Sequence, residues 1–129
     1  MLQIDSPIPK RVATDREFTT VVTGHFHDCA LTRDATAYCW GANTDGELGD
    51  GSTRTVATPQ RVVGNRRFTS IAAGGNLFVG KPGDVSTWGF TCGVNAADGA
   101  VLCWGDNRHG ALGNGSTTGA LTPTPISSP

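Results

Sequence analysis

The stretch CWGANTDGELGDGS (Cys39–Ser52) returns as CWGDNRHGALGNGS (Cys103–Ser116), 64 positions further on. Both copies keep the Cys-Trp-Gly opening, one Asn, one Leu and three more glycines at the same spacing. Working outward, the flanks repeat as well. PKRV (9–12), FTTVVTG (18–24) and CALTRDATAYCWG (29–41) precede the first copy. PQRV (59–62), FTSIAAG (68–74) and CGVNAADGAVLCWG (92–105) precede the second. The offset is 50 up to Gly24 and Gly74, 63 at Cys29 and Cys92, and 64 from Trp40 and Trp104 onward. The second unit therefore carries about 13 extra residues between Gly74 and Cys92, and one more before Cys103. A repeat of roughly 50 residues signals stacked units, none of which buries its own apolar face alone.

Each unit reads as four strands. FTTVVTG and FTSIAAG are short, β-rich and end in Gly. CALT alternates apolar with polar, and Asp34 and Asp98-Gly99 stand where a hairpin should turn. Ala35 occupies the place after Asp34 where Gly is expected, which makes the first turn less comfortable. AYCWG and AVLCWG are the return strands. The PxRV segments suit an edge strand, because Pro cannot donate to a central ladder. No segment has helical periodicity long enough for a stable helix. The expected fold is all-β, a β-propeller fragment of about two four-stranded blades. Residues 1–13 read as a partial outer strand of a preceding blade, 14–63 as the first blade and 64–129 as the second. The insertion NLFVGKPGDVSTWGF (76–90) reads as an extra hairpin turning at Lys81-Pro82-Gly83-Asp84 and projecting from one face.

Composition agrees with this class. Glycine contributes 18 of 129 residues, and charged residues only 16%, a mix that suits short strands and tight turns rather than helical bundles. The net charge of −1 gives no basic stripe for nucleic acid, and Arg66-Arg67, the densest basic spot, reads as a solvated turn. No apolar run approaches the length needed to span a bilayer, so no membrane partner is expected. MLQIDSPIPKRV has no basic segment followed by an apolar one, so no signal peptide is read there.

In the repeated phrase, Gly41, Gly46, Gly49 and Gly51, with Gly105, Gly110, Gly113 and Gly115, fit a loop that visits positive φ more than once. Asn43 and Asn107 can bond their own backbone and fix the turn. Leu48 and Leu112 are the aliphatics that plug the gap between blades, and Trp40 and Trp104 belong in the inter-blade core. The phrase lacks the GK[ST] of a P-loop and the strand–GxGxxG–helix setting of a dinucleotide site. Asp45 and Asp50 do not form a calcium loop, and the second copy replaces them with His109 and Asn114. No cofactor and no metal is expected.

HFHDCALTRDATAYCWGANTDGELGDGS resembles the repeat of the regulator of chromosome condensation family, G-x-x-H-x-CAL-x-x-DG-x-x-YCWG-x-N-x-x-GQLG-x-G. The resemblance spans nearly the whole chain, with Ala35 in a Gly position and Phe90 in a His position as departures. It implies a propeller, typically seven-bladed. The paired cysteines are similar to those of bacterial members, which are often exported. The resemblance also implies loops that engage other proteins, and known members include guanine-nucleotide exchange factors for small GTPases and inhibitors of secreted enzymes.

Cys29 and Cys39 flank one hairpin and Cys92 and Cys103 its counterpart, close enough for disulfides in an oxidising compartment. Four buried thiols acting as small core groups is the alternative, and the compartment stays open. His25, His27 and Cys29 alternate along one strand face. That pattern fits a metal site less well than a structural His27 at the family's usual His position. No nucleophile–base–acid set is present, so no enzyme is expected. The chain reads as a protein-binding module. The competing readings are an exchange-factor-like regulator and a structural array segment without a single partner. Phe78, Trp88, His25 and His109 are the candidate partner contacts, and self-association or further blades would be needed to close the propeller.

Overall fold

A computed structural model describes residues 17–79, 85–106 and 119–126, with backbone alone for 76–79 and 85–88. Eight strands follow in chain order: β1 (Phe18–Thr23), β2 (His27–Thr32), β3 (Ala37–Gly41), β4 (Val56–Arg61), β5 (Phe68–Val79), β6 (Val85–Asn95), β7 (Val101–Gly105) and β8 (Ala120–Pro125). They form two four-stranded antiparallel sheets, β1-β2-β3-β4 and β5-β6-β7-β8. No helix occurs among the described residues. These are two blades of a β-propeller.

Turn chemistry fixes the hairpins. In the β2–β3 turn, the Asp34 carboxylate accepts from the Thr32 hydroxyl and the Thr36 amide. Those bonds, the Thr32 one foremost, hold its pKa down to about 2. Ala35 is forced to φ +69°. The β6–β7 turn is built alike, with Asp98 accepting from Asn95 Nδ2 at 2.8 Å and the Ala100 amide at 2.9 Å, but here Gly99 takes the positive φ of 74°. Pro59 and Pro123 sit in the edge strands β4 and β8, where the register with β3 and β7 shifts and no ladder donor is needed.

The arms of the insertion pair with each other, Asn76↔Trp88 through Val79↔Val85, as the outer part of the β5–β6 hairpin. One ladder runs from Phe68↔Asn95 to Val79↔Val85, so the added residues lengthen β5 and β6 beyond their counterparts β1 and β2. The turn at 80–84 lies outside the described residues.

The two sheets stack through β5, which lies against β1 and β2. The blade-1 side of this contact presents Cys29, Leu31 and Cys39. Blade 2 answers with Phe68, Ile71, Leu102 and Trp104, and Leu48 fills the space from the connecting loop. Leu48 and Trp104 are wholly buried, and burying such side chains is the main force holding the blades together. A ring pair in each blade supports its Trp: Phe18 stacks on Trp40 and Phe68 tilts against Trp104, both at 5.8 Å.

Candidate functional site

The chemistry-bearing residues gather at the seam between the sheets, and the Gly-rich loop after β3 builds it. Asn43 organises that loop from inside. Its Oδ1 accepts from the Leu48 amide at 2.9 Å, and its Nδ2 donates to the carbonyls of Ser52 and Arg54, each at 3.0 Å. The glycines then allow contact with blade 2. At Gly49 (φ +69°) a Cβ would stand 2.6 Å from Trp104 Nε1. At Gly46 it would collide with the Leu121 side chain of β8, and the Gly51 amide donates to the Leu121 carbonyl at 3.1 Å. The loop is therefore a clasp reaching from blade 1 onto β7 and β8.

Polar groups cross the same seam. Thr91 of β6, wholly buried, donates its hydroxyl to the Glu47 carbonyl at 2.7 Å and meets His27 Nε2 at 2.9 Å. The hydroxyl proton is committed to Glu47, so His27 donates from Nε2 and its Nδ1 is left as a bare acceptor. No described group bonds Nδ1. Burial pushes the imidazole pKa down to about 4, against a smaller upward pull from the Phe90 backbone. Glu47 is only 3% exposed. Its Oε1 accepts from the Asp45 amide at 2.9 Å, while Oε2 lies 2.7 Å from where a Cβ on Gly89 would sit. Burial, with the negative charges of Asp45 and Asp106 adding to it and backbone hydrogen bonds opposing, lifts its pKa to about 7. Asp45 Oδ2 accepts from the Gly89 amide at 3.3 Å, and the Asp106 amide donates to the Gly89 carbonyl at 2.8 Å.

Each blade also carries a cross-strand disulfide. Cys29 pairs with Cys39 and Cys92 with Cys103, each directly opposite its partner in the ladder with Cα atoms 4.1 Å apart. There are no free cysteines.

The structure brings His27, Cys29, Leu48, Gly49 and Trp104 together at the seam, with Gly41 and Gly105 ending β3 and β7 at φ +110° and +104°. Trp40 lies buried within blade 1. His25 is apart from them, exposed in the β1–β2 connection with its ring 4.3 Å from that of Phe26. Phe78 and Trp88 take register positions opposite Ser86 and Asn76 in the lengthened ladder. Asn107, His109, Gly110, Leu112, Gly113 and Gly115 lie outside the described residues. Among the described residues no cluster of His, Cys, Asp or Glu is arranged to hold a metal ion. The polar seam residues Glu47, Gly89 and Thr91 escaped the sequence reading. The one signal for them was Gly89, an isolated glycine in a strand, which marks close backbone approach. At the far end of the blades an open cleft of about 460 Å³ is lined by Asn65, Arg66, Arg67 and Asn95 among others.

Two profiles of the Regulator of chromosome condensation (RCC1) repeat match the chain, one over residues 34–79 and 98–129, the other over 18–47. The chain belongs to the RCC1-repeat family. This RCC1-repeat chain is 32% identical over 103 residues to human E3 ubiquitin-protein ligase HERC2, a span of 80% of this chain and 2% of that protein. It is 28% identical over 127 residues to the Ultraviolet-B receptor UVR8 of Arabidopsis thaliana, covering 95% of this chain and 25% of the receptor. Among solved structures, Prp20p of Saccharomyces cerevisiae superposes with a TM-score of 0.73 at 23% identity, covering 93% of this chain and 28% of that one. Human WBSCR16 follows at 0.64 and 21%, covering 88% and 26%. At such identity the structural likeness is one of fold. The chain spans about a quarter or less of the length of these relatives.

Proposed function

We propose that the chain is a two-blade portion of a protein-binding propeller, and that the lengthened β5–β6 hairpin carries partner contact. The observation behind this reading is the difference between two otherwise equivalent blades. β5 has 12 residues where β1 has six, and the ladder extends past the residues that stack against blade 1. Length beyond what packing requires is characteristic of elements that meet a partner. Family membership supports the protein class of that partner. Prp20p is described by its binding properties toward Gsp1p and histones, and yeast RCC1 (Prp20) has been seen with Kap60 bound. An exchange-factor-like role ranks lower, because the partner-contacting loops of such members find no matched residues here. No catalytic step is assigned to the chain.

A structural role in a longer or self-associating array is favoured by a separate observation. Val21 and Ile71 hold the same repeat position. Ile71 is 8% exposed beside blade 1, whereas Val21 is 50% exposed, on the strand face where a further blade would dock as blade 1 does on Ile71.

A variant with β5–β6 cut back to the length of β1–β2 separates the two. Under the binding reading, cross-linking from cell extract gives a partner that the full chain holds saturably and the shortened chain loses, with both disulfides and the circular dichroism spectrum intact. Equal retention by both chains contradicts it. Solution mass by light scattering shows whether identical chains cover the exposed blade edge.

A further inference from the structure

We propose that the cleft between the β4–β5 connection and the β6–β7 turn is an anion site, where Arg66 and Arg67 take a phosphorylated serine or threonine side chain of a partner protein. The cleft, of about 460 Å³, opens at the start of β5. The lengthened part of the β5–β6 ladder lies at the other end of that strand. The proposal shares with the reading above only the protein class of the partner, and concerns a different surface.

The main chain presents both arginines from a fixed position. The Phe68 amide donates to the Ala35 carbonyl in the β2–β3 turn at 2.9 Å, and the Ala96 amide in the β6–β7 turn donates to the Arg67 carbonyl at 2.8 Å. The connection is thus tied to one hairpin turn of each blade. Asn65 is held as well, its Oδ1 accepting from the Arg61 guanidinium at 3.1 Å. Arg66 is half-buried and lies against Gly64, its Nε 3.5 Å from where a Cβ on that glycine would stand.

The donors of the pair are unused. Among the described residues, neither Arg66 nor Arg67 donates a side-chain hydrogen bond, and Arg67 Nη2 stands 4.0 Å from Asp34 Oδ2, beyond hydrogen-bond reach. The carboxylates beside them are occupied by their own turns. Asp34 accepts from Thr32 and Thr36, and Asp98 from the Ala100 amide and Asn95 Nδ2. Those bonds, more than the charges of Arg67 and Arg66, hold the two carboxyls low. Two guanidiniums with open donors match the two charges and three acceptor oxygens of a phosphate monoester. Asp34 and Asp98 flank the pair, one in each turn, which favours a compact dianion over carboxylates spread along the cleft. Gly64, Ala96 and Ala97 wall the cleft with small residues and leave room for the chain that carries the phosphate.

The repeat supplies an internal comparison. The equivalent cleft of blade 1, about 320 Å³, is lined by Glu17, Arg33 and Asp34 among others, and Glu17 holds the position of Arg67. Blade 1 forms the same sheet with a glutamate there, so the second arginine is not a requirement of the blade.

The test titrates the nitrogen-15-labelled 129-residue chain with a short glycine- and alanine-rich peptide carrying one phosphoserine. The same peptide with serine or glutamate, and inorganic phosphate, serve as comparisons. The phosphopeptide should bind saturably and at least roughly tenfold more tightly than each of them, with amide shifts centred on residues 64–67 and 95–97. Arg66→Gln and Arg67→Gln should each weaken it roughly tenfold, and Arg33→Gln, in the blade-1 cleft, should leave it unchanged. Equal affinity for the serine or glutamate peptide or for inorganic phosphate, undiminished binding by Arg66→Gln, or shifts centred elsewhere overturns the proposal. Where a variant fails to fold, the shift map and the four affinities of the native chain decide. The chain with β5–β6 cut back should keep this binding, so that failure of the hairpin reading and failure of this one are told apart.

Discussion

Ala35 holds a φ of +69°, a conformation its counterpart position fills with Gly99 at +74°. An L-residue there crowds its Cβ against its own carbonyl, at about 1–2 kcal/mol. Replacing it by glycine gives part of that back to unfolded-chain entropy. Ala35→Gly is therefore expected to raise stability by about 0.5–1 kcal/mol in urea denaturation, with the Asp34 turn bonds unchanged; a loss of stability would show the strain is absent. This residue was legible in the sequence, because the repeat itself displays the missing glycine. Glu47 was not. A glutamate in a Gly-rich loop reads as solvated, and only the arrival of Gly89 and Thr91, 42 and 44 positions away, removes it from water.

At the scale of elements, the Gly-rich loop acts as a clasp, and its glycines are unequal. Gly49 and Gly51 both have positive φ, at +69° and +83°, but a Cβ at Gly49 would meet the Trp104 indole whereas at Gly51 it would meet nothing within 4 Å. Gly51→Ala should cost about 1 kcal/mol of backbone strain, and Gly49→Ala about 3, the difference measuring the contact with blade 2. Equal costs in the two variants would mean the clasp does not bear on Trp104. The disulfides differ in the same sense. Cys29 and Cys39 are wholly buried, with Cys29 Sγ 4.0 Å from Thr91 Oγ1 of the next blade. Cys92 is partly exposed and lines a groove of about 130 Å³. Limited reduction by dithiothreitol, trapped with iodoacetamide and mapped by mass spectrometry, should label Cys92 and Cys103 before Cys29 and Cys39, because exchange needs access to sulfur. The reverse order would contradict the seam's shielding. Sequence placed each cysteine in a hairpin because the period-two pattern and the turn between them set the register. It read residues 76–90 as paired arms about Lys81-Pro82-Gly83-Asp84, but nothing in Gly74-Gly75 announces that these arms continue the β5–β6 ladder without a break.

The whole molecule is governed by a one-sided arrangement. Within each blade the Trp and Phe side chains pack together, and across the seam the cysteine side of blade 1 meets the Trp side of blade 2. That order was legible at the level of repeat and fold class, since a 50-residue four-stranded unit has few other ways to cover its faces. The identity of a partner was not legible, because propellers select ligands through loops that the repeat does not constrain. The two blades are joined at the seam, where blade 1 reaches over and seats Gly49 on Trp104. Proton NMR near pH 6 reads this directly. The Gly49 Hα that a Cβ would replace lies against the indole. It should be shifted strongly upfield by the ring current, with nuclear Overhauser contacts to the Trp104 ring. An unshifted Gly49 Hα without those contacts, in a chain that still shows Phe68 against Trp104, would mean that the blades form but do not dock as described.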